Sequence, residues 1–126
     1  MYSATVEQRF RHPQAAGALP LDDTDVVDGE AGSVEKGAWV RFYLRIGDGR
    51  VTDARFKAYG CPHTLAAADW VAEHAVGESP ERAFPEGAQH LLRLLEAPTE
   101  KLGRLLIVED ALREASRRAL SKVRTV

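Results

Sequence analysis

From residue 39 to residue 58 the side chains change character at every step. In WVRFYLRI, Val40, Phe42, Leu44 and Ile46 alternate with Trp39, Arg41, Tyr43 and Arg45. That period of two is the mark of a strand with one buried face. GDG follows at 47–49, and glycine supplies the positive φ that a tight hairpin turn requires. RVTDARFKAY resumes the alternation, with Ala54, Phe56 and Ala58 set against Asp53, Arg55 and Lys57. Two such runs joined by so short a turn predict an antiparallel hairpin. Its single apolar face must be covered by other elements.

Those elements read as helices. From Pro62 the spacing lengthens: Leu65, Ala68, Ala72 and Val76 recur at helical intervals until Gly77 stops the run. Val6 and Phe10, four apart, predict a short helix over 4–11. HPQAAGALPLDD is broken by Pro13, Gly17 and Pro20. Residues 22–37 are acidic and carry glycine, which predicts loop with one short strand near Asp25–Gly29. SPERAF predicts a short helix with Ser79 as N-cap and Pro80 at its first position. EGAQHLLRLLE predicts another helix, closed by Pro98. The last helix spans about 99–123, with Leu102, Leu105, Leu106, Leu112, Ala115, Ala119 and Val123 as its apolar positions. Short helix, small sheet, then a run of helices is an α+β order: a small antiparallel sheet packed on one face by helices. With no internal repeat, residues 1–126 read as one domain, a length that permits a real core.

Charge and composition narrow the function. A net charge of −2 gives no push towards nucleic acid or an anionic membrane. No apolar run approaches the roughly 20 residues of a membrane helix, and MYSATVEQRF lacks the pattern of a secretory signal. Cys61 is the one cysteine, so an intramolecular disulfide framework is excluded. These features imply a cytoplasmic chain with a free thiol that is either packing or chemistry.

The position of that thiol favours neither reading outright. Cys61 ends a strand and Pro62 begins a helix, so the sulfur stands where unpaired N–H groups and the positive end of the helix dipole gather. Such a place lowers a cysteine pKa. Gly60 allows close approach of another molecule, and His63 could add a charge or a ligand. Against this, free cysteine is commonly a small buried filler.

DARFKAYGCP at 53–62 resembles the central motif of the IscU/NifU-type iron–sulfur cluster scaffold family, in which such a strand runs into Tyr-Gly-Cys and then a helix. FRHPQAAGAL at 10–19 resembles the family's Asn-Pro-x-x-x-Gly segment, with His12 in place of Asn. GDGRVTDARF matches the hairpin, and VEDALREA at 108–115 resembles the Glu-Asp-Ala of the last helix. The resemblance implies an IscU/SufE-like fold and a role in cluster assembly. Such proteins take sulfur from a cysteine desulfurase, take up iron, and build a [2Fe–2S] cluster on three cysteines, helped by an aspartate and a histidine. Soft thiolates are the usual holders of these clusters.

Here the ligand set departs from the family's. Lys36 and Ala38, in EKGA, stand at the first cysteine and the aspartate. Gly103 and Arg104 stand at the histidine and the third cysteine. APTEK at 97–101 keeps only Pro98 and Lys101 of the chaperone-recognition segment. Lys36 and Arg104, if beside Cys61, would repel iron and favour a thiolate or persulfide.

Three roles follow from the resemblance: a divergent scaffold that binds iron or a cluster transiently, a single-cysteine persulfide acceptor of the SufE kind, or a non-catalytic adaptor of the assembly machinery. None is an enzyme; any chemistry would be sulfur transfer on Cys61. In the first, Cys61 and His63 from two chains of a homodimer would supply four metal ligands. The expected partners are a desulfurase and other assembly proteins.

Other residues read as structural. His12 fixes a turn, His74 and His90 are solvated, and Trp39 and Trp70 are core or interface anchors. Asp22, Asp23, Asp25 and Asp28 form an acidic loop without calcium-site spacing. Arg113, Arg117, Arg118, Lys122 and Arg124 give the last helix a basic end.

Overall fold

The computed structural model describes residues 2–124, and side chains as far as residue 122; Val123 and Arg124, expected in the apolar stripe and the basic end, lie outside the described side chains. Strands β1 (Val26–Ser33), β2 (Ala38–Gly47) and β3 (Arg50–Tyr59) form one antiparallel sheet in the order β1-β2-β3. Before it comes helix α1 (Ala4–Arg11). After it come α2 (Pro62–Ala75), a 3-10 turn (Pro80–Arg82), α3 (Ala88–Leu94), a second 3-10 turn (Thr99–Lys101) and the long α4 (Leu102–Arg124).

The hairpin forms as the alternation requires. Its turn is the pair Asp48–Gly49, both left-handed at φ 53° and 76°. That geometry matches the twist of the flanking strands, and Asp-Gly is among the pairs that adopt it most readily. Val40, Phe42 and Leu44 face inward, fully buried, opposite Ala58, Phe56 and Ala54. α4 packs across β1 and β2 while α2 packs along β3, so the helices cover one face. Phe42, Leu44, Val71, Leu105, Val108 and Leu112 form the heart of the core. Burying each such side chain is worth about 1.5–3 kcal/mol. The opposite face is ion-paired, with Arg41 bound to Asp28 and Arg45 to Asp23 and Asp25, and it buries Tyr43.

Several expectations change. The first strand runs on past the expected Asp25–Gly29 to Ser33 and takes in Asp28, because pairing with residues 38–45 of β2 satisfies backbone groups that a loop would leave bare. Phe10, Val76 and Leu106 lie on the surface, at 46%, 45% and 43% exposure. Val76 caps α2 instead of extending it, since Gly77 at φ 94° turns the chain away. Ser79 makes no side-chain cap hydrogen bond. The last helix is preceded by a 3-10 turn over 99–101, and α3 ends at Leu94, before Pro98 can act on it.

The proline-broken segment after α1 lies along the outer edge of β3. Ala16 bridges Phe56 in parallel, with Gly17 N–H donating to Phe56 O at 2.9 Å and Phe56 N–H to Ala15 O at 3.0 Å.

Candidate functional site: the Cys61 end of the sheet

β3 runs without a loop into α2, and Gly60 makes the junction possible. Its φ of 154° and its fit against Thr64, whose side chain would lie 3.0 Å from a Cβ there, both exclude larger residues. The result places Cys61 at the N-cap of α2, in extended conformation, with its carbonyl accepting from Thr64 N–H at 2.9 Å and Leu65 N–H at 3.2 Å. Pro62 at the first helical position has no N–H to leave unpaired.

The Cys61 sulfur is half-buried, 3.7 Å from Thr64 Oγ1. Burial pushes the thiol pKa up. The N–H and hydroxyl of Thr64, the N–H of His63 and the charge of Lys101 together outweigh burial, so the net shift is downward. The thiol is thus reachable and biased towards the nucleophilic thiolate. Its alkylation by iodoacetamide should inflect at a pH below that of free cysteine, and Lys101→Gln should move the inflection upward. An inflection at the free-cysteine value would contradict both statements.

Lys101 is a change from the sequence reading, which gave the role of charge partner to Lys36 and Arg104. Lys36 is exposed in the turn between β1 and β2. Arg104 rises from the first turn of α4 onto that same turn, with Nη2 3.1 Å from where a Cβ on Gly37 would stand. Both stand at the same end of the sheet as Cys61, because Trp39 pairs with Tyr59 there. The charge that reaches the thiol is that of Lys101.

His63 is also placed differently from the expectation that it ligates metal beside Cys61. It is 4% exposed, its ring lies edge-on to Tyr2 at 4.9 Å, and Nδ1 has no hydrogen-bond partner. Burial and then the charge of Lys101 lower its pKa, which keeps it neutral at pH 7. Neighbours two apart at a helix start diverge: the sulfur faces Thr64 and the imidazole faces Tyr2. Among the described residues no group of three or more His, Cys, Asp or Glu is positioned to hold a metal ion.

Two groups escaped the sequence reading. Asp69, in the alanine-rich α2, is fully buried and accepts from Gln14 N–H at 2.7 Å, Ala15 N–H at 2.8 Å and Arg9 Nη1 at 2.8 Å. It ties the proline-broken segment to the helix that carries Cys61. The signal was a lone acid among alanines on a helix face that had to be covered. The two helix histidines flank Trp70, His74 exposed to solvent as expected and His90 half-buried. His74 stacks on the indole at 3.9 Å and donates from Nδ1 to Trp70 O at 2.9 Å, and His90 lies 5.6 Å away on its tilted ring. They line a cleft of about 370 Å³ at the end of α2 remote from Cys61.

This chain belongs to the NifU-like N-terminal domain family, whose model matches residues 1–124. Among its relatives is the iron–sulfur cluster assembly scaffold protein IscU of Haemophilus influenzae, 30% identical over 115 residues that cover 90% of this chain and 91% of that one. The protein of the same name in Escherichia coli is 30% identical over 115 residues, covering 90% of each. The fold matches the crystal structure of a nitrogen-fixing NifU-like protein (N-terminal) from Brucella abortus, with a TM-score of 0.72 at 19% identity over 95% of this chain and 94% of that one. No helix among the described residues is long and apolar enough to cross a membrane.

Proposed function

We propose that this chain serves iron–sulfur cluster assembly as a scaffold-type protein, residues 1–126 forming one domain, with Cys61 as its one working thiol. The observation that carries this is the sulfur at the mouth of α2, half-exposed and favoured as thiolate. Its first task is to take sulfur from a cysteine desulfurase. The Cys61 thiolate attacks the outer sulfur of the donor's persulfide, the donor's S–S bond breaks, and the donor leaves as a thiolate. Cys61 then carries the persulfide, and no oxidant is consumed.

Iron or a [2Fe–2S] cluster is cargo in this reading. One chain offers a single thiolate, too few for the usual four-ligand cluster. Holding a cluster therefore needs a second copy or an acceptor protein to complete the ligand set. That no group of three or more His, Cys, Asp or Glu among the described residues is placed to hold a metal ion gives weight to the SufE-like reading, in which the chain only passes sulfur.

Incubation with an active desulfurase and cysteine should add the mass of one sulfur to the protein and nothing to Cys61→Ser. No gain on the native chain removes the sulfur-bearing role. Anaerobic reconstitution with iron and sulfide separates scaffold from carrier. Visible absorption with two chains per cluster supports the scaffold, and none at any protein concentration leaves the carrier.

A further inference from the structure

Half-buried arginines in this protein generally meet a carboxylate, as Arg9 meets Asp69, Arg41 meets Asp28 and Arg45 meets Asp25. Arg104 makes no ion pair or hydrogen bond among the described residues, and its Nε is buried without a partner. A desolvated guanidinium N–H with no acceptor is unfavourable, and an anion would relieve it. Arg104 is held over Gly37, whose φ of 85° turns the β1–β2 connection beneath it. Gly37 and Cys61 each lie two residues beyond the Trp39–Tyr59 pair that closes the ladder, so the guanidinium and the thiol occupy the same end of the sheet. Lys36 and Lys101 stand at this end as well and make no ion pair among the described residues. Glu35 and Glu100, next to them in sequence, are exposed and make none either. The arrangement is three cations without an ion pair among the described residues, at the end of the sheet that carries the half-buried thiol.

We propose that the Cys61 end of the molecule binds small oxyanions bearing a transferable sulfur, the thiosulfate class, with Arg104 gripping the oxyanion and Cys61 accepting the sulfur. A guanidinium fork suits the oxygens of such an ion better than an ammonium does. The step balances without a co-reactant. The Cys61 thiolate attacks the outer sulfur of thiosulfate, the S–S bond breaks, and sulfite leaves with the electron pair. Cys61 is left as a persulfide anion, and the total charge is unchanged. This rests on the reading of Cys61 as a sulfur-bearing thiol and adds to it a small-molecule donor beside the protein donor.

The full-length protein is incubated with thiosulfate while sulfite release and the gain of one sulfur on Cys61 are followed. Loading should saturate with thiosulfate. Arg104→Gln should slow loading at low thiosulfate about tenfold to a hundredfold, the size of one charge-assisted contact, and Arg104→Lys should recover part of the loss. Alkylation by neutral iodoacetamide should stay within about twofold in all three, because the thiol itself is untouched. Lys101→Gln, normalised to its own alkylation rate, is a second arm if Arg104→Gln fails to fold by circular dichroism. Loading that never saturates, or that proceeds equally fast in Arg104→Gln and in Lys101→Gln, overturns the oxyanion site. If a desulfurase loads Cys61 and thiosulfate does not, this inference falls alone; if neither loads a thiol that iodoacetamide modifies, the sulfur-bearing role falls with it.

Discussion

Asp69→Ala should destabilise the protein by about 3 kcal/mol, measured as a shift of the urea unfolding midpoint at unchanged slope. The carboxylate is fully buried, and its removal strands three donors together: the N–H groups of Gln14 and Ala15, and Arg9. Arg9 keeps its second partner, Glu73, at 2.8 Å and is partly open to water, which holds the loss at the lower end of the range for a broken buried pair. Asp69→Asn keeps the shape and one accepting oxygen but turns an amide towards Arg9, so about half the effect should remain. The consequence reaches the site, because Asp69 pins the Ala15–Gly17 segment against β3 from the helix that begins at Cys61. Hydrogen exchange at Phe56 and Gly17 should quicken in both variants before exchange in β1 does. A loss below about 1 kcal/mol for Asp69→Ala would mean that the latch is ornamental.

Gly29→Ala should be at least as damaging, at about 3 kcal/mol or more. Gly29 lies in β1 beneath α4, and a Cβ there would run into the backbone nitrogen of Ala115, with Ala115 Cα at 2.7 Å and Ala111 O at 2.8 Å. A side chain could swing away from such a contact; helix backbone cannot, so α4 must lift from the sheet. Gly103→Ala is the control. It sits in the first turn of α4 with nothing within 4 Å of the added carbon, and helix propensity alone should raise stability by about 0.5–1 kcal/mol. Equal effects at the two glycines in thermal unfolding would refute close approach of α4 to β1 as the reason for Gly29.

The hairpin, α2 and α4 were legible in the sequence because each is specified by a repeat along the chain. A period of two at 39–58 and a period near four from Pro62 onward do not depend on distant residues. The position of Cys61 at a strand-to-helix junction was legible for the same reason. β1 was only half legible. Its alternation is diluted by Gly29, which answers to α4 crossing above it, and by Gly32, which at φ 82° lies against the carbonyl oxygen of Ala38 in β2 with Ile107 of α4 2.8 Å from a Cβ there. Phe10 and Leu106 matched a periodic template yet face solvent, since periodicity assigns a face but not what covers it.

The site divides along the same line. The chain alone determined that one thiol would stand at the mouth of a helix, which is a matter of local order and residue type; that Lys36 and Arg104 take the places of two family cysteines was what the resemblance implied. Only the tertiary structure decided which cation the thiol feels, which guanidinium is left without an acid, and where the imidazole of His63 points. Lys101 reaches Cys61 from forty positions away, and Arg104 meets Gly37 from across the sheet. Charge interactions fall with distance through space and take no account of distance along the chain, so no reading of neighbours in sequence could have ranked them.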